Sequence, residues 1–421
     1  MKEINAAEFQ QEVLNGGKVV VDFYSTECPP CEALAPKFDA LAELYGEKIK
    51  FYKIFRQENR ELAAQLGVVS SPTLLFFDNG KQLELAMTGG IKKSDIQNQL
   101  NSMISNEEAT AINKKVKHTV SEYEVAILGG GPAGLSAGIY LGQARIKTVL
   151  IDPALPGGYM GITHQVSNYP GFVEAQPGFM LAHYMSEQAK NSGIDFRVAV
   201  DITSVDLIKK EIVIDQNETI KAQNIIIATG TSPKSMNAKG ENELKGKGIS
   251  YCATCDAKYF VDKEVIVIGS GNSAVEEALY ITKFASKVKI VFRSEKLKAN
   301  ESALKLLAQN KKIELISGLE PRSFERENDK MNLQFEDLKT KEIIKLQSDG
   351  VFVFIGLEPN ISDLGDSLPL MNEWGNIIVD EDMKTNFEGV YAVGDIINKK
   401  YRQITTAVAD GTIAAMTISK E

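Results

Sequence analysis

The chain has 421 residues, of which 43% are apolar and 24% are charged, and this composition predicts a folded protein of about three domains. Its net charge of −9 argues against a nucleic-acid or anionic-membrane surface, because both require a basic patch. No apolar run reaches the ~18 residues of a transmembrane helix. The start of the chain has no apolar signal core, so we expect a cytoplasmic protein.

Residues 1–105 alternate between two kinds of pattern, which predicts an α/β domain. Runs of β-branched and aromatic residues predict strands at 18–24, 49–55, 73–78 and 83–88. Apolar residues at helical spacing predict helices at 31–45, 59–66 and 93–104. The segment that follows, Ser105–Glu122, is polar and charged without a clear period, so we expect a linker at 106–121.

The four cysteines form two C-x-x-C pairs, Cys28/Cys31 and Cys252/Cys255. Two such pairs can bind zinc, but in zinc ribbons they lie roughly 15–20 residues apart, and here the separation is far larger. No histidine is close in sequence to either pair. Paired thiols in a cytoplasmic protein instead favour dithiol redox chemistry, with a structural disulfide as the alternative for the second pair.

The first pair lies between a predicted strand and a predicted helix. The dipole and the free N–H groups at a helix N-terminus stabilise a thiolate at that position. We therefore expect Cys28 to be the attacking sulfur and Cys31 to resolve the mixed disulfide.

Three features of residues 1–105 resemble the thioredoxin family. They are the strand Val21-Asp22-Phe23-Tyr24, the lysine Lys53 and the tripeptide Ser71-Pro72-Thr73. The resemblance implies a cis proline that packs against the dithiol, and it implies that Asp22 accepts a proton from Cys31. The alternative for Asp22 and Lys53 is a buried ion pair.

The sequence departs from the thioredoxin pattern on both sides of the first cysteine. The family's tryptophan is replaced by Glu27, and its Gly-Pro by Pro29-Pro30. We expect both changes to affect the redox potential and the choice of partner.

A second α/β region begins with the predicted strand 123–128 and a glycine-rich loop that opens a helix. In such a loop the glycines permit close backbone approach, and the helix N-terminus faces a pyrophosphate. The next predicted strand, 148–151, ends at Asp152, which suits a ribose hydroxyl. The alternative is a tight turn without a ligand. The loop residues of this predicted dinucleotide site are Gly129, Gly131, Pro132, Ala133 and Gly134.

The strand–loop–helix–strand unit recurs after the second cysteine pair. A strand at 264–268, a helix at 275–284 and a strand at 288–292 are predicted. Arg293 stands where an NAD site would carry an acid, and Lys296 and Lys298 follow it, so we expect NADPH rather than NADH; the alternative is a solvated basic loop. The loop residues of this second predicted site are Gly269, Gly271, Asn272, Ser273 and Ala274.

Nearly all of residues 122–421 resemble low-molecular-weight thioredoxin reductases. The resemblance rests on motifs spread over this region: Pro156-Gly157-Gly158, Asn168–Phe172, Ala228-Thr229-Gly230, Tyr251–Asp256, Gly350–Asn360, Gly394-Asp395 and Tyr401-Arg402-Gln403. It implies that the first unit binds FAD and that the second binds NADPH and carries the redox dithiol. It also implies a homodimer.

The resemblance assigns roles to individual residues. Asp256 would be the proton donor, and Cys255 the sulfur nearer the flavin. Around the FAD it adds Gly158, Asn168, Gly230, Gly394, Asp395, Arg402 and Gln403. Two departures weaken the match: Phe292-Arg293-Ser294 replaces the family's His-Arg-Arg clamp, and Tyr159 replaces a glutamine expected near the flavin.

The predicted fold class is α/β, with a thioredoxin fold followed by two Rossmann-like three-layer domains. We expect a thioredoxin domain at 1–105, an FAD-binding domain in two segments at 122–234 and 359–421, and an NADPH-binding domain at 235–358. The predicted activity is that of an NADPH-dependent thioredoxin-disulfide reductase fused to its own thioredoxin. Electrons would pass from NADPH through FAD and the second dithiol to Cys28/Cys31, and then to protein disulfides such as those of peroxiredoxins.

Three alternatives differ in activity or class. The flavoprotein subunit of alkyl hydroperoxide reductase, which can use NADH, usually carries two fused thioredoxin folds, about twice the length available here. A ferredoxin-reduced flavoprotein would not need the intact loop at 269–274. A non-catalytic flavin sensor would not turn over a disulfide substrate.

Overall fold

A computed structural model of the chain describes residues 1–163 and 165–421, and of Thr254 and Cys255 the backbone only. Its contacts divide the chain into two compact units. Unit 1 comprises Met1–Gly158, Ala182–Gly230 and Ile361–Glu421, and unit 2 comprises Tyr159–Leu181 and Thr231–Asn360. Residues 159–181, predicted to belong to the FAD-binding domain, thus pack with unit 2. Within the described residues, no helix is long and apolar enough to cross a membrane.

The amino-terminal domain of unit 1 is built on one mixed sheet with the strand order β1-β3-β2-β4-β5. Its strands are β1 Lys2–Glu3, β2 Lys18–Tyr24, β3 Lys50–Phe55, β4 Thr73–Asp78 and β5 Lys81–Thr88. Its helices are α1 Ala6–Phe9, α2 Pro29–Tyr45, α3 Arg60–Gln65, α4 Lys93–Ser102 and α5 Asn106–Asn113, with a π-helical turn at Gln10–Leu14. The strands predicted at 18–24 and 73–78 have these bounds in the structure.

Strand β2 lies in the middle of the sheet and is buried on both faces, because helices cover each side. Val20 packs with residues of α2 and α4 on one face, and Val19 and Val21 pack with residues of α1 and α3 on the other. This burial explains why the sequence of β2 is a continuous apolar run rather than an alternating one.

The segment predicted as an unstructured linker is largely ordered. Ser105 caps α5, and its hydroxyl accepts the N–H of Glu108 while the Glu108 carboxylate accepts the N–H of Ser105. Ala109 and Ile112 are buried, and Ile112 joins the core of the amino-terminal domain. Of the predicted linker at 106–121, residues 106–113 thus form α5, and the residues from Thr119 begin the next strand. The capping box that starts α5 is readable in the sequence.

The chain beyond residue 118 forms the remaining elements. The strands are β6 Thr119–Leu128, β7 Thr148–Asp152, β8 Asp195–Val198, β9 Ile202–Asp206, β10 Glu211–Ile214, β11 Glu218–Ile227, β12 Thr231–Pro233, β13 Ile249–Ser250, β14 Glu264–Ile268, β15 Lys287–Phe292, β16 Ile313–Ser317, β17 Leu319–Glu327, β18 Lys330–Asp337, β19 Ile343–Ser348, β20 Gly350–Val353, β21 Leu357–Pro359 and β22 Val390–Ala392. The helices are α6 Pro132–Gln143, α7 Gly158–Gly161, α8 Gly178–Asn191, α9 Glu241–Leu244, α10 Ala253–Asp256, α11 Asn272–Ile281, α12 Glu301–Gln309 and α13 Ile404–Ile418, with 3₁₀ turns at Ala257–Phe260 and Gly394–Ile396.

The rest of unit 1, from residue 119, is the first Rossmann domain. Its sheet has the order β8-β7-β6-β11-β10-β9. Strand β11 is long enough to pair with β10 along its first half and with β22 at Ile225–Ile227. Strands β8, β7, β6, β11 and β22 are parallel, so their carboxyl ends meet at one edge of the sheet.

Unit 2 contains the second Rossmann domain. Its parallel sheet has the order β13-β20-β14-β15-β16. An antiparallel sheet of β17, β18 and β19 packs against it, since Val351 and Ile266 share a buried cluster with Phe335 and Leu333. A short antiparallel pair, β12 and β21, joins the two ends of the unit's main segment.

Candidate active site: two dithiols and two nucleotide-binding loops

The first dithiol begins helix α2. Cys28 is the N-cap residue and forms a disulfide with Cys31, with the two Cα atoms 5.2 Å apart. The backbone N–H of Cys31 donates to Sγ of Cys28 at 3.3 Å. That N–H and the helix dipole both stabilise the thiolate that reduction would produce at Cys28. Cys28 and Cys31 are only 8% and 7% exposed.

The residues around Cys28 explain how the departures from the thioredoxin pattern are accommodated. Pro29 and Pro30 are the first two residues of α2, where the N–H groups that proline lacks have no helical partner. Glu27 has a φ of +51° and turns the chain from β2 into the helix. The carbonyl oxygen of Ser71, in the cis Ser71–Pro72 bond, lies 3.5 Å from Sγ of Cys28. The predicted contact between the cis proline segment and the dithiol is therefore present.

Asp22 lies in β2 and is 5% exposed. Burial raises the pKa of Asp22 to about 7, although the positive charge of Lys53 opposes the shift. The Oδ1 atom of Asp22 has no hydrogen-bond partner in the part of the chain that the structure describes. A carboxyl group with this pKa can take up or release a proton at neutral pH.

The first glycine-rich loop joins β6 to α6. Gly129 has a φ of +109°, and a Cβ atom there would lie 2.4 Å from the carbonyl oxygen of Ala228, so the position requires glycine. A Cβ atom on Gly131 would meet nothing within 4 Å, so the loop leaves open space in front of the helix. Pro132 is the first residue of α6, and Ala133 and Gly134 are buried in its first turn.

Several predicted flavin-site residues converge on this loop. A Cβ atom on Gly394 would lie 2.9 Å from Cβ of Ala133, and one on Gly158 would lie 3.3 Å from Cα of Gly131. Arg402 Nε donates to the carbonyl oxygen of Asp395 at 3.3 Å. Of the other predicted flavin-site residues, Gln403 is the N-cap of α13 and Gly230 follows β11 with a φ of +68°. Asn168 is exposed and belongs to unit 2.

Two largely buried acidic residues, Asp395 and Asp152, lie at this site. Burial raises the pKa of Asp395, and its Oδ1 atom is buried without a partner among the described residues. Asp152 accepts the N–H of Gly130 at 2.6 Å and that of Ala154 at 2.7 Å, and burial raises its pKa to about 6. Asp152 therefore also fixes the loop backbone. An open cradle at a helix N-terminus beside an unpaired buried acceptor fits a dinucleotide such as FAD.

The second dithiol segment lies between β13 and α10. Ser250 Oγ donates to Oδ2 of Asp256 at 2.5 Å and accepts the N–H of Cys252 at 3.2 Å. Ser250 therefore ties the predicted proton donor to the cysteine backbone, a role that the sequence analysis did not assign. The side chain of Cys255 lies outside the described residues. Tyr159 packs edge-on against Tyr251, with ring centroids 6.4 Å apart.

The second glycine-rich loop joins β14 to α11 and repeats the geometry of the first. Gly269 has a φ of +147°, and a Cβ atom there would lie 2.3 Å from the carbonyl oxygen of Phe354. Gly271 again leaves open space. Helix α11 begins at Asn272, earlier than predicted, so the open cradle faces its N-terminus. Its first three residues are the predicted site residues Asn272, Ser273 and Ala274.

The basic residues predicted to read the nucleotide follow β15. The N–H of Lys298 donates to the carbonyl oxygen of Ser270 at 2.7 Å, which brings Lys298 beside the loop. The backbone N–H of Asn300 likewise donates to Oδ1 of Asn272. Arg293 has an exposed guanidinium group that pairs with Glu320 at 3.2 Å. No sequence motif points to Glu320, which is distant from Arg293 in the chain.

These features define a flavin- and pyridine-nucleotide-dependent disulfide oxidoreductase with a second dithiol domain attached. Residues 123–411 match the pyridine nucleotide-disulphide oxidoreductase family, and the chain belongs to that family. Residues 1–102 match the thioredoxin family, so the family core is fused to a thioredoxin domain. The predicted fold class is confirmed. The family implies FAD and a nicotinamide nucleotide as cofactors.

Similar proteins cover the chain beyond the thioredoxin domain. A thioredoxin reductase of Peptoclostridium acidaminophilum is 42% identical over 71% of this chain and 96% of its own length. That of Bacillus subtilis (strain 168) is 40% identical over 70% and 93%. The crystal structure of thioredoxin reductase from Streptococcus pyogenes MGAS5005 covers 71% of this chain and 97% of its own, at 32% identity and a TM-score of 0.66.

Proposed function

We propose that the chain is an NADPH-dependent thioredoxin-disulfide reductase that carries its own thioredoxin domain. When bound, NADPH and FAD would supply the electrons that reduce Cys252/Cys255, and these would pass on to Cys28/Cys31 and finally to protein disulfides. The observation that carries the proposal is the presence, in one chain, of a reductase core with a C-x-x-C pair and a thioredoxin domain whose disulfide begins a helix.

The cofactors supply the hydride chemistry, and the residues of the chain carry out thiol–disulfide exchange. The thiolate of Cys252 attacks Sγ of Cys28, which breaks the Cys28–Cys31 bond and releases the Cys31 thiolate. Asp22, with its raised pKa, supplies the proton that Cys31 takes up. The Cys255 thiolate then attacks Cys252, which re-forms the reductase disulfide and releases the Cys28 thiolate. Two electrons have moved, and one disulfide has replaced another.

We assign the FAD to the β6–α6 loop and the NADPH to the β14–α11 loop. Asp395 and the residues near it would bind the flavin nucleotide, and Asp256 would hold a proton beside the second dithiol. The guanidinium of Arg293 and the ammonium of Lys298 would contact the 2′-phosphate, because such a group favours charge-assisted hydrogen bonds. This preference for NADPH over NADH rests on the position of both residues after β15.

The remaining proposals concern the oligomeric state, the location, the protein clients and the domain boundaries. We propose a homodimer that acts in the cytoplasm on protein disulfides, including those of peroxiredoxin-like clients. We also propose that the thioredoxin, FAD-binding and NADPH-binding domains have the boundaries predicted from the sequence, except at the linker and at residues 159–181, which pack with unit 2.

An anaerobic reductive titration tests the electron route. The full chain should accept three two-electron equivalents: one at the flavin and two at the disulfides. The variant Cys28→Ser/Cys31→Ser should accept two and keep the flavin spectrum. Two equivalents for the unmodified chain would contradict the route.

A further inference from the structure

Within unit 1, the thioredoxin domain contacts the first Rossmann domain through a small set of polar side chains. Lys37 on α2 donates to the carbonyl oxygens of Val198 and Ala199 at 2.8 and 2.6 Å, and to that of Ile91 at 3.2 Å. Three acceptors therefore match the three N–H donors of the ammonium group. Two of them come from the other domain.

The electrostatics of Lys37 and the backbone conformation of Ala199 both indicate a specific contact. Partial burial lowers the pKa of Lys37 to about 8, so the ammonium has exchanged part of its hydration for these carbonyls. Ala199 has a φ of +51°, an uncommon conformation for a residue with a Cβ atom. A charged group that is removed from water requires such partners, because a buried unpaired charge is strongly unfavourable.

Two ion pairs flank Lys37. Lys92 pairs with Asp201 at 2.8 Å, and each side chain is 34% exposed. Glu32 pairs with Lys190 of α8 at 2.7 Å. The Gly90 backbone of the thioredoxin domain also lies against the Leu155 side chain, because a Cβ atom on Gly90 would lie 3.1 Å from Cγ of Leu155. The contact thus combines a partly buried lysine with two cross-domain charge pairs of opposite polarity.

The contact is made by the end of the thioredoxin domain that carries its dithiol. Glu32 directly follows Cys31 in the first turn of α2. Part of the surface near the dithiol stays open, since Val69, two residues before Ser71, is 87% exposed. A protein that covers the whole surface around the dithiol would therefore have to displace Glu32 from Lys190.

We propose that the first Rossmann domain carries a docking site for the chain's own thioredoxin domain, and that docking competes with protein clients for the surface around the dithiol. Charge favours this thioredoxin domain at the docking site, because Glu32 is attracted to Lys190. A thioredoxin with a basic residue at the position of Glu32 would be repelled. The proposal rests on the proposed function only in taking protein disulfides as the clients.

The test compares Lys37→Met with the control Lys81→Met, which changes an exposed lysine at the start of β5. Loss of hydrogen bonds to a charged group should weaken docking roughly 10- to 150-fold. Small-angle scattering of the full-length protein should show a larger radius of gyration for Lys37→Met only. The rate of NADPH-dependent insulin reduction should rise, while reduction of a small disulfide dye stays unchanged.

Reversing the charges of the Glu32–Lys190 pair tests the same contact independently of Lys37→Met. Glu32→Lys and Lys190→Glu should each expand the protein, and the double variant should restore the compact form. Unchanged scattering in all variants would overturn the docking site. Expansion with slower insulin reduction would overturn the competition, since docking would then assist turnover. If no form reduces insulin with NADPH, the proposed function fails, whereas the scattering result still decides whether the domain docks.

Discussion

Asp22 and Lys53 occupy paired positions on the neighbouring parallel strands β2 and β3, yet Oδ1 of Asp22 is buried with no hydrogen-bond partner among the described residues. The Lys53 ammonium lies instead 5.7 Å from the centre of the Tyr24 ring. The pair is therefore not a simple buried ion pair, and the carboxyl group keeps a raised pKa.

Asp22→Asn should stabilise the thioredoxin domain at neutral pH. The folded pKa of about 7 exceeds the ordinary value of 3.8, so the folded state binds more protons between these limits and its stability falls as pH rises. The full shift corresponds to about 4 kcal/mol. Hydrogen exchange of β2 and β4 amides at pH 5 and pH 8 measures the part of this effect that lies above pH 5, about 2.7 kcal/mol, with the exposed Asp39→Asn as the control. Equal pH dependence in Asp22→Asn and the unmodified protein would contradict the assignment.

Gly131→Ala should weaken flavin binding without unfolding the protein. The φ of Gly131 is −73°, and its Cβ atom would enter only the open space of the cradle. Filling that space should reduce FAD affinity roughly 5- to 150-fold. The retained flavin is measured by visible absorbance after dialysis. Gly17→Ala, which also meets nothing within 4 Å, is the control. Full flavin retention in Gly131→Ala would place the FAD elsewhere.

Arg293→Ala should lower kcat/KM for NADPH roughly 10- to 150-fold and leave NADH nearly unaffected. Glu320 competes for the same guanidinium, so Glu320→Gln should lower the KM for NADPH. Steady-state kinetics with both nucleotides provides the measurement. Equal losses for NADPH and NADH in Arg293→Ala would show that this residue does not contact the 2′-phosphate.

Ser250→Ala should slow reduction of a disulfide dye roughly 10-fold or more, because Asp256 loses the hydrogen bond that orients its carboxylate. The flavin content should not change. Ser250→Thr keeps the hydroxyl and should restore the rate, and the pH profile of Ser250→Ala should shift if Asp256 carries the proton. A wild-type rate and pH profile in Ser250→Ala would remove Ser250 from the mechanism.

Local patterns predicted the parts of the site that are continuous in sequence. The strand β2, both glycine-rich loops and the helix positions of Cys28 and Cys31 could be read from short motifs. Residues brought together by tertiary packing could not be read, because no local pattern links Arg293 to Glu320 or Lys37 to Ala199. Helix α5 was missed for a different reason: its apolar face is only Ala109 and Ile112, too small a periodic signal among polar neighbours.

In the proposed electron route, Cys28 transfers the electrons from the chain to protein disulfides. NADPH-dependent insulin reduction by the full-length protein, without added thioredoxin, measures this directly. Cys28→Ser should abolish insulin reduction, retain the flavin and NADPH oxidation with a small disulfide dye, and recover insulin reduction when free thioredoxin is added. Insulin reduction by Cys28→Ser at the rate of the unmodified protein would contradict the claim that the fused thioredoxin domain delivers the electrons.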